Sequence, residues 1–334
     1  VLRRWIHVGV PRADISGTHG RGQEGSRDRR SGQIIYFIPS GAKGSLVMMP
    51  GLHMALLDLL RELSGSGVRL IVGGGFGIYL RMEHVRRTGV RTLLREWPEM
   101  RSTNDLDLFL RPELLIDSYK LKPLSAALVS LGYTVVPEAA FYQFVKPGPG
   151  GGSAGSLKID ILTGPESSFH GTRVKVDNRR AKPRPSVDIH AHPTNEALTL
   201  EKGLQEMELS GVLSSGEQWD DTIFLPHPYT FLMMKLFAFR DLYGNENKDF
   251  GRYHALDLYT ILATMTETEW NEALGYRNEF ISEPYVREAG RMVGNFFSEL
   301  NNPGMIRMRE SDYSRSGMQL EDFMSAMREL FPLS

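Results

Sequence analysis

Two aspartates, Asp105 and Asp107, stand one residue apart in a run where leucine fills the alternate positions. Because successive side chains of a β-strand point to opposite faces, this alternation predicts a strand that carries both carboxylates on one face. Their Cα atoms would lie roughly 6.5 to 7 Å apart, so the two carboxylates could share a divalent ion. A third aspartate, Asp160, stands between two isoleucines, and the same reasoning places it on the polar face of a later strand.

Three carboxylates that converge on one point need a cation. They repel each other by about 4 kcal/mol per pair at ~4 Å and an effective dielectric of ~20. The chain contains no cysteine, so oxygen or imidazole ligands must hold any metal ion. Mg²⁺ favours carboxylate oxygens and completes its coordination with water and substrate phosphates. The aspartates therefore predict a phosphate-bearing substrate and two Mg²⁺ ions as cofactors, with Mn²⁺ as the alternative.

A glycine-rich turn, Gly73 to Gly77, follows an apolar run that predicts a buried strand over residues 68–72. A helix is predicted from about Phe76. Backbone without Cβ atoms lets phosphates approach exposed N–H groups and the N-terminus of such a helix. Glycines at a strand-to-helix junction also serve plain close packing, so Gly73 and Gly74 indicate a phosphate site only in combination with the aspartates.

The predicted elements from Leu52 to Leu162 are helix, strand, helix, strand, helix and then three strands. This order predicts an α/β (α+β) fold with a mixed sheet and covering helices, followed by a mainly helical C-terminal region. One amphipathic helix is predicted over residues 113–131. With 334 residues, the chain is long enough for two packed domains. The predicted division is a tail (1–47), a catalytic domain (48–165), a connecting region (166–225) and a helical domain (226–334).

Residues 1–47 mix Arg, Gly and Ser with little periodicity, which predicts a poorly ordered tail. Met48 and Met49 precede the first convincing helix, so the alternative is that the tail is not part of the natural protein. The tail carries eight Lys/Arg and three Asp/Glu, which leaves the remainder near −6 and excludes a generally basic, nucleic-acid-binding chain. No apolar run is long enough to span a bilayer or placed to act as a signal peptide, so a cytoplasmic location without a membrane partner is predicted.

The Gly-Gly pair at a strand end, Asp-Leu-Asp on the next strand and Lys-Ile-Asp-Ile-Leu on a later strand together resemble the nucleotidyltransferase superfamily that includes polymerase-β-like enzymes. The stretch RSTNDLDL, from Arg101 to Leu108, resembles the Arg-x-Thr-x-Asp-hydrophobic-Asp pattern of the AbiEii-type toxins. The stretch MKLFAFR, from Met234 to Arg240, is similar to the Lys-x-x-Ala-x-x-Arg element of that family. RYHALDLY, from Arg252, resembles its Arg-His-x-x-Asp-hydrophobic-Tyr element with one residue inserted.

The resemblance implies a metal-dependent enzyme that transfers NMP from an NTP to an acceptor hydroxyl and releases pyrophosphate. It implies metal ligands at Asp105, Asp107 and Asp160. It implies a nucleotide-binding set made of Gly73, Gly74, Thr103, Lys235, Arg240 and Asp257. In this reading Lys235 is catalytic because it neutralises the leaving pyrophosphate, and Asp257 supports it. The helix that carries Asp257 is apolar on nearly every side, so its carboxylate needs a partner, which either Lys235 or Arg240 could be.

The acceptor is the open part of this interpretation. The toxin-like motifs imply a tRNA end or a protein side chain as acceptor and raise a cognate antitoxin as a partner. A small molecule of the aminoglycoside type is the closest alternative, and a noncatalytic nucleotide-binding module is the alternative from another class. A tRNA acceptor would require a basic patch facing the cleft, for which the candidates are Arg81, Arg86, Arg87, Arg91, Arg95 and Arg101.

Two segments depart from the family pattern, and one of them, residues 166–225, matches no known element and leaves the acceptor open. The distance from Gly74 to Asp105 is about twice that of the compact members, which indicates an insertion over residues 84–100. The stretch from Asp188 to His192, DIHAH, resembles the metal-binding start of amidohydrolases. About 140 mostly helical residues follow it, too few for the rest of a barrel of roughly 250 residues. A local structural role is therefore predicted for His190 and His192.

Overall fold

The computed structural model describes residues 6–7, 48–99, 101, 103–147, 155–177 and 179–333. The predicted N-terminal tail lies outside the described residues, apart from a two-residue strand. The described helices are α1 Met48–Glu62, α2 Gly74–Thr88, α3 Pro112–Ile116, α4 Lys122–Ser130, α5 Pro228–Leu242, α6 Arg252–Ala263, α7 Glu267–Glu279, α8 Pro284–Phe296, α9 Pro303–Arg309 and α10 Leu320–Leu330. The described strands are β1 Ile6–His7, β2 Ile71–Val72, β3 Arg91–Thr92, β4 Asp105–Leu110, β5 Thr134–Val135, β6 Gln143–Lys146, β7 Leu157–Thr163, β8 Lys175–Asp177, β9 Arg180–Lys182, β10 His192–Pro193, β11 Gln205–Val212 and β12 Gln218–Leu225.

Eight strands form one mixed sheet in the order β11-β12-β2-β4-β7-β6-β5, with β10 beside the end of β7. Strands β4 and β7 run parallel, whereas β2 pairs antiparallel with β4 and β6 pairs antiparallel with β7. The expected α/β (α+β) class, a mixed sheet with helices and a helical region after it, is confirmed.

The alternation of residue types explains why β4 lies where it does. Leu106 and Leu108 are buried on one face of the sheet, in the core that also contains residues of α1, α2 and α4. Burying a leucine side chain stabilises a fold by about 1.5–3 kcal/mol, so the leucines fix which face of the strand turns inward. The aspartates between them are thereby held on the opposite face.

The C-terminal helices α5 to α10 surround a second apolar core, in which α5 and α6 are central. A buried arginine of helix α2, Arg81, connects that helix to the C-terminal helices through hydrogen bonds. Its guanidinium donates to the Thr264 hydroxyl at 2.6 Å and to the Glu269 carboxylate at 2.6 Å. None of the helices formed by the described residues has both the length and the apolar character needed to cross a bilayer.

Two local predictions were wrong. The single helix over residues 113–131 is divided into α3, a short 3-10 helix at Ser118–Leu121 and α4. Pro123 explains the break, since proline suits the first turn of a helix and disrupts its interior. The segment assigned to a connecting region supplies β11 and β12 of the main sheet, and β12 pairs with β2. The domain boundaries themselves stay a prediction.

Candidate active site

The parallel pairing of β4 with β7 brings the predicted carboxylates together. Asp107 is the register partner of Asp160, and Asp105 is the partner of Lys158. Partners across neighbouring strands point to the same face, so Asp105, Asp107 and Asp160 share the face opposite the buried leucines. The structure thus places the three aspartates on one face, as strand alternation indicated, with Asp107 and Asp160 as direct partners.

The two facing carboxylates carry an electrostatic penalty. Burial, followed by repulsion from Asp160, raises the pKa of Asp107 to about 6. Burial also raises the pKa of Asp160, against the effect of Lys158, whose Nζ lies 2.8 Å from Asp160 Oδ2. Asp160 Oδ1 is buried and has no hydrogen-bond partner among the described residues. An unsatisfied buried oxygen of this kind is costly and marks a place where a ligand could bind.

The glycine turn packs directly against Asp107. The Gly73 N–H donates to the backbone carbonyl of Asp107 at 2.8 Å, and α2 begins at Gly74. Gly74 has a φ of +60°, and a Cβ atom there would lie 1.6 Å from Asp107 Oδ2. A Cβ atom on Gly75 would lie 2.7 Å from Nη2 of Arg101. The turn therefore uses glycine because the helix N-terminus approaches both an anionic and a cationic side chain.

A buried ionic cluster lies on the other side of this turn. The carboxylate of Asp257, on α6, accepts bonds from Arg101 Nε at 3.1 Å and Arg101 Nη2 at 2.9 Å. Lys235, on α5, places its Nζ 2.7 Å from Asp257 Oδ2. Burial opposes ionisation of Asp257, but Arg101 and Lys235 outweigh it and hold the pKa of this carboxyl well below its usual value.

The partner of Asp257 is thus Lys235 together with Arg101, and not Arg240. Arg240 extends toward solvent and pairs with its neighbour Asp241 at 2.7 Å. The structure brings together the other predicted site residues, but it does not bring Arg240 to them. Thr103 lies beside the carboxylates, where its hydroxyl accepts a bond from the Asp105 N–H at 3.4 Å and helps to begin β4.

Several residues of the site were not predicted from the sequence. Arg101 was predicted only as a member of the basic patch, and its pairing with Asp257 was not predicted because that partner lies 156 residues away in the chain. Lys158 and Gln143 contact Asp160 from β7 and β6. His254 lies near Lys235, Asp257 and Arg101, and burial, followed by the charge of Lys235, lowers its pKa to about 3. Only strand alternation could have found Lys158, since it precedes Asp160 by two residues.

The two sides of the site influence each other across the turn. The charge of Lys235 counteracts the rise in the pKa of Asp107. The negative charge of Asp107 in turn helps to raise the pKa of Arg101. The carboxylates of Asp107 and Asp160 thus lie across the glycine turn from the cations of Arg101 and Lys235. Such an arrangement can hold a cation and a polyanion next to each other.

Metal binding must be tested against these side chains. In the part of the chain that the structure describes, no three Asp, Glu or His side chains are arranged so that they could hold one ion together. Mg²⁺, however, commonly takes only one or two carboxylates and completes its shell with water and substrate phosphates. The facing pair Asp107 and Asp160, with the unpartnered Oδ1, fits that mode of binding.

The candidate arginine patch is only partly available. Arg81 is 1% exposed and paired with Glu269, and Arg101 is engaged by Asp257. His190 and His192 lie at the sheet edge, where their rings contact Phe141 at 5.1 Å and Tyr142 at 5.9 Å between ring centroids. The structural role of the two histidines stays a prediction.

Comparison with known proteins adds little. No protein-family model matches the chain, and no curated protein matches its sequence. One similar solved structure is that of an antigenic nucleotidyltransferase-like protein from Paracoccidioides brasiliensis, with 12% identity and a TM-score of 0.33. The match covers 69% of this chain and 90% of that chain. A likeness this distant identifies neither a family nor an activity.

Proposed function

We propose that this protein is a metal-dependent nucleotidyltransferase that transfers NMP from an NTP to an acceptor hydroxyl. The observation that carries the proposal is the pairing of Asp107 with Asp160 on adjacent parallel strands, directly beside a glycine turn and two buried cations. A carboxylate pair suits a hard cation, and the turn and cations suit phosphates. An NTP complexed with Mg²⁺ needs both at once.

The residues would divide the chemistry between them. Asp107 and Asp160, with Asp105 next to them, would hold Mg²⁺, or Mn²⁺ in its place. When bound, the metal would neutralise charge that develops on the phosphates during in-line displacement. The backbone of Gly73 and Gly74 would bind phosphate oxygens at the N-terminus of α2.

In the transfer itself, the acceptor oxygen would form a bond to the α-phosphorus while the bond to the bridging oxygen of the β-phosphate breaks. Asp160 would orient the acceptor hydroxyl and receive its proton, for which a raised pKa is favourable. Lys235 and Arg101 would stabilise the negative charge on the departing pyrophosphate, and Asp257 would keep the two cations side by side.

The narrower motifs extend this proposal. Their likeness to AbiEii-type toxins supports a tRNA end or a protein side chain as acceptor and a cognate antitoxin as partner. The competing function is noncatalytic nucleotide binding. It is favoured by one specific contact, the ion pair between Lys158 and Asp160, because a lysine in that position occupies one oxygen that a metal ion would use.

The test is a transfer assay with each α-³²P-labelled NTP, Mg²⁺ and total RNA, followed by autoradiography of RNA and protein. The wild-type chain is compared with Asp107→Asn and with Asp220→Asn, which changes an aspartate on β12 outside the site. We expect label on an acceptor with the wild type and Asp220→Asn, and none with Asp107→Asn. NTP binding without any transfer in the wild type would instead establish the noncatalytic function. Transfer by Asp107→Asn at the wild-type rate would refute the proposed mechanism.

A further inference from the structure

The strongest concentration of positive charge in the described chain does not lie in the arginine segment before β4. Residues 173–184 contain six Lys/Arg and one Asp, a formal net charge of +5 in a chain of net charge −1. This segment includes the antiparallel hairpin β8–β9. Neither the fold nor the proposed transfer reaction explains why one hairpin should be so basic.

The sheet register places this hairpin beside the candidate active site. Ala181, in β9, exchanges both backbone hydrogen bonds with Ala191, at 2.8 and 3.2 Å. The next residue, His192, pairs with Leu162 on β7, so Ala191 is level with Ile161. Neighbouring strands are about 4.8 Å apart, so β9 lies about 10 Å from the strand that carries Asp160.

The basic side chains also share the face of Asp160. Ala181, Ala191 and Ile161 all belong to the same buried core. Side chains alternate along a strand, so Arg180 and Lys182 point away from that core, as Asp160 does. Their charges act on His190, and Arg179 acts on His192, which in turn experiences the charge of Asp160. A continuous path therefore leads from the hairpin to the candidate active site.

Much of this charge is not neutralised. Asp177 forms ion pairs with Lys175 and Lys182. Among the described residues, no ion pair engages Arg173, Arg179 or Arg184, and all three are exposed. Exposed arginines clustered along one hairpin are the kind of electrostatic footprint that a phosphodiester backbone requires.

Aromatic side chains line the path between the hairpin and Asp160. The Tyr142 ring lies against His192, whose ring bonds to the backbone carbonyl of Arg179. Phe141 contacts His190 and has a φ of +70°, a left-handed conformation that is uncommon for an aromatic residue and marks a constrained position. Unpaired bases stack on aromatic and imidazole rings, at a stabilisation of about 1–3 kcal/mol per base.

We infer that the β8–β9 hairpin and the Tyr142–His192 pair form the acceptor-binding surface, and that the acceptor is the end of a single-stranded nucleic acid. Arg173, Arg179 and Arg184 would contact its phosphates, and a base near the end would stack on Tyr142. The terminal hydroxyl would then reach Asp160. The role as acceptor rests on the proposed transferase activity, whereas binding of the strand to this surface does not.

The test measures binding of a fluorescein-labelled single-stranded RNA by anisotropy, without NTP, over a series of salt concentrations. The variant Arg173→Gln/Arg179→Gln/Arg184→Gln is compared with Arg87→Gln/Arg91→Gln/Arg95→Gln, which removes three exposed arginines from the other basic segment. We expect the hairpin variant to bind at least about tenfold more weakly and to lower the slope of log K against log salt by about 2, since each lost phosphate contact on a single strand removes about 0.7. The matched control should bind RNA as the wild type does.

Three outcomes would overturn the inference. In the first, the wild-type chain does not bind RNA, and in the second, the two triple variants lose RNA affinity equally. In the third, a parallel assay with anionic lipid vesicles shows that the hairpin variant loses vesicle binding while it keeps RNA binding. Unchanged melting temperatures show that both variants are folded. RNA binding that depends on the hairpin without any nucleotidyl transfer would leave the surface intact and refute only the proposed activity.

Discussion

Asp107 and Asp257 line the same site, yet their surroundings move their pKa values in opposite directions. Asp107 faces a second carboxylate, Asp160, and burial with that repulsion raises its pKa to about 6. Asp257 accepts two hydrogen bonds from Arg101 and forms an ion pair with Lys235, which together hold its pKa low against the effect of burial. The charge of Asp107 is only partly compensated by nearby lysines, whereas Asp257 is paired directly with two cations.

This contrast separates a binding position from a supporting one. A buried charge that is fully paired fixes its neighbours in place and leaves little reason to bind anything else. A carboxylate that repels a neighbouring carboxylate is stabilised by any cation that enters the site. Until such a ligand binds, the repulsion lowers the stability of the fold. The following changes test that distinction from the largest effect to the smallest.

Removing the paired carboxylate should be the most damaging change. In Asp257→Ala, Arg101 and Lys235 remain buried without their counter-ion, and we expect a loss of about 3–5 kcal/mol in the free energy of unfolding. Urea denaturation measures it, with Asp241→Ala as the control, because the Asp241 side chain is 61% exposed and its ion pair is with the partly exposed Arg240. The control should change by less than about 0.5 kcal/mol. Equal effects of the two substitutions would show that the buried cluster does not stabilise the fold.

The glycine turn should be the next most sensitive position. Gly74→Ala puts a Cβ atom on a residue in the left-handed conformation and against Asp107 Oδ2. We therefore expect the free energy of unfolding to fall by about 2–4 kcal/mol and nucleotide binding to be lost. Gly65→Ala is the matched control, since Gly65 has a φ of +75° and nothing within 4 Å of an added Cβ. It isolates the backbone cost of about 1 kcal/mol. If the free energy of unfolding falls equally in both variants and both bind nucleotide, the close approach of Gly74 to Asp107 affects neither stability nor binding.

These two positions show what the sequence can and cannot predict. Asp105 and Asp107 were placed on one face because strand periodicity is local and can be read over six residues. The closeness of Gly74 to Asp107 follows from one short antiparallel pairing, between β2 and β4. The first of these was predicted from the sequence, whereas the contact between Gly74 and Asp107 became visible only with the pairing of the two strands.

Long-range partners could not be predicted in the same way. Asp257 was expected to pair with Lys235 or Arg240, yet Arg101 supplies two of its bonds from 156 residues away. Helix periodicity places Lys235 and Arg240 on α5, but only tertiary packing decides which one faces α6. The strands β11 and β12 were missed for another reason. Met207 and Leu209 do alternate with polar residues, but the prolines and arginines upstream directed the interpretation toward a connection.

The unpaired carboxylate should respond in the opposite sense to the paired one. Asp107→Asn removes a buried negative charge, so we expect the free energy of unfolding to rise by about 1–3 kcal/mol at pH 8 without divalent ions. The folded-state pKa of about 6 lies above the ordinary 3.8, so wild-type stability falls as pH rises between these values. The gain from Asn should therefore disappear near pH 4.

Denaturation at pH 4 and pH 8, with and without Mg²⁺, measures both effects. Mg²⁺ should raise the melting temperature of the wild type and leave that of Asp107→Asn unchanged, because a ligand stabilises only the state that binds it. A variant that is less stable than the wild type at pH 8 would mean that Asp107 already has a compensating partner.

The smallest effect is expected at Arg240, which the motif likeness assigned to nucleotide binding and which the fold places outside the ionic cluster. Arg240→Gln removes an exposed ion pair with Asp241, so stability should change by less than about 0.5 kcal/mol and nucleotide affinity by less than about twofold. Lys235→Gln removes a buried charge beside the carboxylates and should weaken nucleotide binding by about tenfold to a hundredfold, equivalent to about 1.5–3 kcal/mol for a charged hydrogen bond. Titration of a fluorescent NTP analogue compares the two variants directly. A larger loss in Arg240→Gln than in Lys235→Gln would place the phosphates on the outer face of α5, away from Asp257.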